Sequence, residues 1–323
     1  MASPTFVGRL EEVELLEAAR RRAANGEPAV VLVGGEAGVG KTRLVAELAA
    51  RCVADGTRVL IGGCVPVGGD GLPYAPIVEA LRPLPAELGV ATVRELGGPS
   101  WRELTRLLPS LGEPDAGPPG QAAQARLLEL LLGLLARLSE QTPIVVVVED
   151  LHWSDQSTRD LLAFLVRNLR QNRILLVVTY RSDEPRSDRL GPWLAELDRV
   201  GPVQRLQLAR LDRAQTAAQL VGILGAAPPA DLVDAVFGRS EGNPFSPRSC
   251  WRRCGLVRAS CRPPSATCSA AGSRCCPSVP NRYSAWLRSL ASGCLIGSWP
   301  AWSAWTTRTC SRRCGSWSPT RCW

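Results

Sequence analysis

The chain has 323 residues, of which 45% are hydrophobic and 21% charged, and its formal net charge is +8. A chain of this length can bury a sizeable core and predicts about two domains. The charge does not indicate that the whole protein binds nucleic acid, because it is unevenly distributed. Residues 246–323 hold 12 arginines and no lysine, aspartate or glutamate, so the total divides into +12 for this segment and −4 for residues 1–245.

The N-terminal sequence MASPTFVGRLEEVE is acidic and lacks the apolar stretch of a signal peptide. The segment 127–138 is rich in leucine but short, and it contains Glu129 and Arg137. The uncharged segment 289–307 contains Pro300 and several serines and glycines, so it is a poor membrane span. These features predict a cytoplasmic protein that does not bind a membrane.

Residues 35–42 read GEAGVGKT and fit G-x-x-x-x-G-K-[ST], the pattern of a phosphate-binding P-loop. An apolar run, 29–34, precedes them and a helical pattern, 43–53, follows, which is the strand–loop–helix context that the motif needs. Its glycines let backbone N–H groups turn toward phosphate oxygens. Lys41, the only lysine in the chain, would contact the β- and γ-phosphates, and the Thr42 hydroxyl would bind Mg²⁺. The predicted phosphate contacts are Gly35, Glu36, Ala37, Gly38, Val39, Gly40, Lys41, Thr42 and Arg43.

Residues 144–155, IVVVVEDLHWSD, predict a buried parallel strand that ends in two carboxylates. Phosphoryl transfer needs one carboxylate for the Mg²⁺ shell and another to orient the attacking water. We assign Glu149 to the metal and Asp150 to the water, and the reverse assignment stays open. The alternative is a strand that ends in a solvated acidic turn. His152, the only histidine, cannot form a metal site alone and is expected to have a packed or hydrogen-bonded role beside Trp153 rather than a catalytic one.

Three further strands and several helices are predicted around these motifs. Residues 57–63 predict a strand, followed by a loop rich in Gly and Pro. Residues 173–181 predict another strand, which ends in Arg181; this arginine either meets the γ-phosphate or is an ordinary surface residue. Residues 204–208 predict a short strand. Residues 211–237 predict helix with a break at 226–230, and the sequence SEGNPF that follows predicts a Gly–Asn–Pro turn.

The segments FVGR, GEAGVGKT, GLPYAP, VVVVEDLHWSD, VTYRSDE and SEGNPF occur in this order across residues 6–245. Together they resemble the Orc-like AAA ATPase module, of the signal-transduction (STAND) class, that belongs to large ATP-binding LuxR-type transcriptional regulators. The resemblance implies ATP and Mg²⁺ as ligands. It implies that Val7, Gly8 and Arg9 lie by the adenine and ribose, that Arg181 senses the γ-phosphate, and that Pro244 packs near the adenine from a helical lid.

The pattern stops after about residue 245. Residues 246–323 hold ten of the 12 cysteines and seven of the 10 tryptophans, with no regular helical or strand period. The spacings Cys250-x₃-Cys254 and Cys310-x₃-Cys314 would suit a zinc or disulfide tail, but the segment has no histidine. Back-translated with GC-rich codons and shifted by two bases, its last 22 residues become VGVDDEDVLAALRELVADALL, an amphipathic helix. We therefore favour a frameshift, which makes this segment an out-of-frame, disordered tail.

The predicted fold class is α/β, a three-layer P-loop NTPase with a mostly parallel sheet and a partial helical lid. The predicted domains are 1–210 for the ATPase core, 211–245 for the start of the lid, and 246–323 for the irregular tail. The predicted function is a nucleotide-dependent switch with slow, Mg-dependent ATP hydrolysis. Its catalytic residues would be Lys41, Glu149, Asp150 and Arg181, and its metal ligands Thr42 and Glu149.

Two other functions stay open. The module could bind nucleotide without hydrolysis and act as a scaffold for a regulatory protein or for self-association. It could also be a truncated, non-functional fragment. No segment predicts a DNA-reading element, so DNA binding is not assigned to this chain.

Overall fold

The computed structural model describes residues 6–65, 72–113, 121–183 and 190–245. The predicted disordered tail, 246–323, lies outside the described residues. Within the described parts of the chain, no helix combines the length and apolarity needed to cross a bilayer.

In these described residues, five parallel strands form one sheet in the order β2-β3-β4-β1-β5. They are β1 (Ala29–Gly35), β2 (Arg58–Gly63), β3 (Ile144–Glu149), β4 (Ile174–Arg181) and β5 (Val203–Gln207). Every residue of β1 is buried, and so are the Val and Leu runs of β3 and β4. Strands buried on both sides read as continuous apolar runs, because helices cover both faces of a parallel sheet. The predicted three-layer α/β P-loop fold is confirmed.

One face of the sheet is covered by α1 (Leu10–Ala24) and α2 (Lys41–Ala54), whose apolar side chains pack on β1, β3 and β4. The other face carries six of the helices in the described ranges, which share the larger cluster of buried apolar side chains. They are α3 (Ala75–Leu81), α4 (Leu84–Leu88), α5 (Val90–Gly97), α6 (Gln121–Gln141), α7 (Gln156–Asn168) and α8 (Gly191–Val200). Short 3₁₀ segments lie at Gly98–Arg106, Pro109–Leu111 and Leu151–Trp153. The sequence analysis did not predict α4, α5 or α8.

Two helices follow β5, α9 (Arg213–Leu224) and α10 (Ala230–Ser240), and we use the name lid for this pair. Its own apolar core is small, with Leu220, Val233 and Val236 as the buried residues. Asp212 caps α9 through a complete capping box with Gln215. The break predicted in this helical stretch lies between the two helices.

The order of the strands places the P-loop between the segments that follow β4 and β5. The P-loop follows β1, which lies between β4 and β5, and Gly35 at the end of β1 is opposite Arg181 at the end of β4. All five strands point the same way, so the segments that follow them meet at one edge of the sheet. Ligands of open α/β sheets bind at this carboxyl edge.

Candidate nucleotide-binding site

The P-loop backbone has the shape that its glycines permit. Gly38 and Gly40 have φ angles of 78° and 111°, which strain any residue with a Cβ atom. Gly40 is also the N-cap of α2, and no side chain caps this helix. The amide groups at the start of α2 are therefore not occupied by a capping side chain, and a helix N-terminus of this kind favours an anion such as phosphate.

Lys41 reaches back across the P-loop from the first position of α2. Its side chain is buried, and Nζ donates hydrogen bonds to the carbonyl oxygens of Gly35, at 2.7 Å, and Glu36, at 2.9 Å. These contacts hold the ammonium group over the loop. A compact cation in this position complements the charge of a phosphate bound to the same loop.

Thr42 and Glu149 come together although they are far apart in the sequence. Burial raises the pKa of Glu149, and the negative charges of Asp150 and Glu79 raise it further, whereas a hydrogen bond with the Thr42 side chain lowers it. Among the described residues, Oε1 of Glu149 is buried and has no hydrogen-bond partner. A carboxylate oxygen without a partner beside a hydroxyl suits Mg²⁺, which prefers oxygen ligands. The described residues contain no group of three or more His, Cys, Asp and Glu side chains that could hold a metal by itself.

Asp150 is held in an unusual backbone conformation at the end of β3. Its φ of 56° is in the left-handed region, which is uncommon for a residue other than glycine. Its N–H donates to Oγ1 of Thr179 at 3.0 Å, and its carbonyl accepts from the N–H of Trp153 at 2.9 Å. His152 is buried as predicted, with its ring tilted beside Trp153 and Nδ1 3.9 Å from Oδ1 of Asp150. These contacts fix the backbone of Asp150 and leave its carboxylate partly exposed at the sheet edge.

The segment after β4 also contacts the P-loop. Arg181 is partly exposed at the end of the strand, next to Gly35. Asp183 lies two residues further on, and its Oδ2 accepts a hydrogen bond from the N–H of Ala37 at 3.1 Å. Neither Asp183 nor Thr179 was predicted from the sequence to have a role. Thr179 carried one usable signal, since it is a polar residue at the end of an otherwise apolar strand.

The N-terminal segment packs between the P-loop and the lid. The buried guanidinium of Arg9 donates to the carbonyl oxygens of Val39, at 3.3 Å, and Ala209, and it forms an ion pair with Glu12 at 3.0 Å. Gly8 has a φ of 62°, and a Cβ atom there would lie 2.9 Å from Cδ of Gln215 on α9. The residues predicted to lie by the adenine, 7–9, are therefore adjacent both to the P-loop and to the lid.

The turn after α10 lies over the P-loop. Nδ2 of Asn243 donates to the carbonyl of Ala37 at 2.9 Å, and the carbonyl of Pro244 accepts from Gln219 at 3.1 Å. A Cβ atom on Gly38 would lie 2.7 Å from Cβ of Phe245. The segments FVGR, GEAGVGKT and SEGNPF thus lie next to one another. Arg43 is partly buried in the first turn of α2, and its neighbour Thr42 is exposed.

The sequence profile of the AAA ATPase domain matches residues 5–178. The chain belongs to this family. An uncharacterized protein of Rhizobium meliloti is 31% identical over 204 residues, which are 59% of this chain and 19% of the relative, so this chain spans about a fifth of the length of that protein.

Two solved structures resemble this chain, and the one with the higher TM-score has a similar fold. Cdc6p from Pyrobaculum aerophilum has a TM-score of 0.51 at 13% identity, over 79% of this chain and 64% of that one. The ORC2 protein from Aeropyrum pernix has a TM-score of 0.48 at 16% identity, over 80% of this chain and 65% of that one. At these identities the likeness concerns the fold alone. In the AAA ATPase domain described here, a phosphate loop, a buried lysine and a carboxylate–hydroxyl pair meet at one sheet edge, an arrangement that suits nucleotide binding.

Proposed function

We propose that this AAA ATPase domain binds ATP with Mg²⁺, hydrolyses it slowly, and acts as a nucleotide-dependent switch. The observation that carries this proposal is that Glu149 meets Thr42 next to Lys41, while the turn that follows the lid helices contacts the same P-loop. A ligand bound there would contact both the rigid sheet edge and the smaller lid. Its γ-phosphate can therefore favour one arrangement of the two parts over another.

Each residue has a separate role in this proposal. Lys41 and the P-loop amides bind the phosphates, and Thr42 and Glu149 hold Mg²⁺, which neutralises charge on the phosphate oxygens. Asp150 orients the attacking water, with its backbone fixed by Thr179; the roles of Glu149 and Asp150 can be exchanged. Arg181 stabilises charge at the γ-phosphate.

The base of the nucleotide lies between the N-terminal segment and the lid in this proposal. Val7, Gly8 and Arg9 contact the adenine and ribose from one side, and Pro244 packs near the adenine from the other. The contacts of Arg9 and Gly8 with the P-loop and α9 support this placement, because they bring the two sides within reach of one ligand.

We further propose that the protein is cytoplasmic and that the domain comes from a large LuxR-type transcriptional regulator, with a frameshift after about residue 245. The order of the motifs supports the regulator, and the abrupt change in composition supports the frameshift. Sequencing the gene across the codons for residues 244–248 tests this. A missing or extra base is expected there, and an intact frame in the natural gene would refute the frameshift.

The Lys41→Ala variant of the full chain tests the nucleotide site. Hydrogen bonds to charged groups contribute about 1.5–3 kcal/mol, so the affinity for a fluorescent ATP analogue should fall about 10- to 100-fold. Arg51→Ala is the matched control, because Arg51 is an exposed cation on the same helix that pairs with Glu47. Unchanged affinity in Lys41→Ala would refute the site.

Phosphate release, measured on the same preparations, separates the remaining possibilities. Slow release that needs Mg²⁺ is the expected result. Tight binding of ATP without release of phosphate would favour the non-hydrolysing scaffold. The partner of that scaffold would be a regulatory protein or a second copy of this chain. An insoluble protein that binds no nucleotide would favour the non-functional fragment.

A further inference from the structure

The lid contacts the P-loop through a small group of polar residues at its base. Nε of Arg210 is 2.8 Å from Oε2 of Glu36 in the P-loop, and its Nη1 atom pairs with the carboxylate of Glu241 at the end of α10. Asn243 binds the carbonyl of Ala37. We call these five residues, Glu36, Ala37, Arg210, Glu241 and Asn243, the loop–lid contact.

The backbone around Arg210 and Glu241 is closely fixed. The N–H of Leu211 donates to the carbonyl of Gly242 at 2.8 Å, which joins the segment before α9 to the segment after α10. Gly242 has a φ of 77°, and a Cβ atom there would collide with the carbonyl oxygen of Leu211. Arg210 and Glu241 are therefore held side by side at the base of the lid. The guanidinium bridges two carboxylates that belong to different parts of the site.

We propose that Arg210 is a positioning residue that holds the base of the lid on the P-loop and thereby slows the release of bound nucleotide. This inference rests on the proposed function, because it concerns the same site. A nucleotide between residues 7–9, the P-loop and the turn at 243–245 cannot leave until the lid moves from the P-loop. The bonds of the loop–lid contact must break during that movement.

The expected change in the rate of nucleotide release depends on how far the charged side chains of the loop–lid contact are exposed to solvent. The side chains of Arg210 and Glu36 are 40% and 38% exposed, and that of Glu241 is 73% exposed, so water and salt screen their attraction. Loss of the contact should therefore accelerate nucleotide release by about 3- to 10-fold at low salt, as expected for exposed pairs that form a network. The acceleration should shrink as salt is added.

Arg210 could also slow nucleotide release without any effect on the lid. Arg210 could retain nucleotide simply because its positive charge attracts the phosphates. Replacement of Glu241 distinguishes the two, since it removes a negative charge from the same place. If Arg210 holds the lid through Glu241, Glu241→Gln accelerates release. If Arg210 only attracts phosphate, Glu241→Gln slows release or leaves it unchanged.

The experiment measures the dissociation rate of a fluorescent ATP analogue from the full chain by stopped flow. The variants are Arg210→Gln and Glu241→Gln, each at about 0.02 M and 0.5 M salt, where the Debye length falls from about 20 Å to about 4 Å. The matched control is Arg213→Gln, because Arg213 pairs with Asp234 inside the lid and not with the P-loop. Circular dichroism checks that all variants fold alike.

Faster release in both test variants at low salt, with little change in Arg213→Gln, is the expected result. The inference is overturned if Glu241→Gln does not accelerate release, or if Arg213→Gln accelerates it as much as Arg210→Gln does. Absence of binding by the unchanged protein would instead refute the proposed function, and the inference with it. Binding by the unchanged protein with equal release rates in all variants refutes the inference alone.

Discussion

The sheet and the lid lie on two sides of the proposed nucleotide site but are held by different forces. The central strands are buried on both faces, and the apolar clusters on either side together include most of the buried side chains. The lid has three buried apolar residues, and polar bonds join it to the P-loop. Regions with few buried apolar contacts open at lower free energy than a core. The difference indicates that the phosphate side of the site is rigid and the lid side adjustable.

The largest expected effect comes from replacing two equally buried leucines, one beside the sheet and one in the lid. Leu134 on α6 and Leu220 on α9 are both 0% exposed. Leu134→Ala should lower the free energy of global unfolding by about 3 kcal/mol, because it leaves a cavity in the large cluster. Leu220→Ala should lower it by less than about 1 kcal/mol, because the lid can lose its structure while the sheet stays folded.

Chemical denaturation gives the global values for this pair, and hydrogen exchange locates the loss. In Leu220→Ala, faster exchange should be confined to α9 and α10. An equal loss of global stability in the two variants, with exchange accelerated throughout the sheet, would show that the lid and the sheet unfold as one unit.

Two aspartate caps test the difference with a smaller effect. Asp155 begins α7 on the sheet, is 7% exposed, and accepts from both the N–H and the hydroxyl of Thr158. Asp212 begins α9 in the lid and is exposed. Asp155→Ala should cost about 2 kcal/mol of global stability, and Asp212→Ala at most about 1 kcal/mol, confined to α9.

Asp231→Ala is the control for this pair. Asp231 lies in the first turn of α10, where the N-cap is Pro229, so the variant removes a charge and no side-chain cap. It should change stability by no more than about 0.5 kcal/mol. A larger global loss in Asp212→Ala than in Asp155→Ala, measured by denaturation, would contradict the assignment of the lid as the weaker part.

The rate at which the Cys52 thiol is alkylated provides a third test, because a variant in the lid should not change it. Cys52 on α2 is 0% exposed, and burial raises its pKa to about 11. At pH 8 it is therefore neutral and inaccessible, and alkylation requires the core to open. Labelling, followed by mass spectrometry of the peptide, should be unchanged in Leu220→Ala and faster in Leu134→Ala. Faster labelling in Leu220→Ala would show that the lid protects the core.

The same pKa predicts how stability depends on pH. Because burial raises the pKa of Cys52 above its ordinary value of 9.0, the neutral thiol makes its full contribution to stability below that pH. This contribution is lost as the pH rises from there through the folded value of about 11. Replacement of Cys52 by Ala should remove this part of the loss at alkaline pH.

The parts of the fold that were predicted depend on local patterns. The short runs rich in Val and Leu in β1, β3 and β4 favour buried strands, because valine is β-branched. GEAGVGKT specifies the turn into α2, because its geometry needs glycine and lysine at fixed positions. Helices α4 and α5 were missed because they are short and lie among Pro and Gly residues, where neither period nor caps give a clear signal.

The contacts that were not predicted depend on the order of the strands. Glu36 and Arg210 are 174 residues apart, and Ala37 and Asp183 are 146 apart. They meet because β1 lies between β4 and β5, so the segments after all three strands share one edge. Without the strand order, no pattern in the sequence distinguishes Arg210 from the other arginines of the chain.

The hydrogen bond between Leu211 and Gly242 has a consequence for whatever is attached to this domain. It joins the segment before α9 to the segment after α10, so the chain enters and leaves the lid at almost the same point. Phe245 then lies against Gly38 of the P-loop. If the nucleotide binds as proposed, Phe245 would lie beside its phosphates. A change at the γ-phosphate would then act on the end of the lid directly.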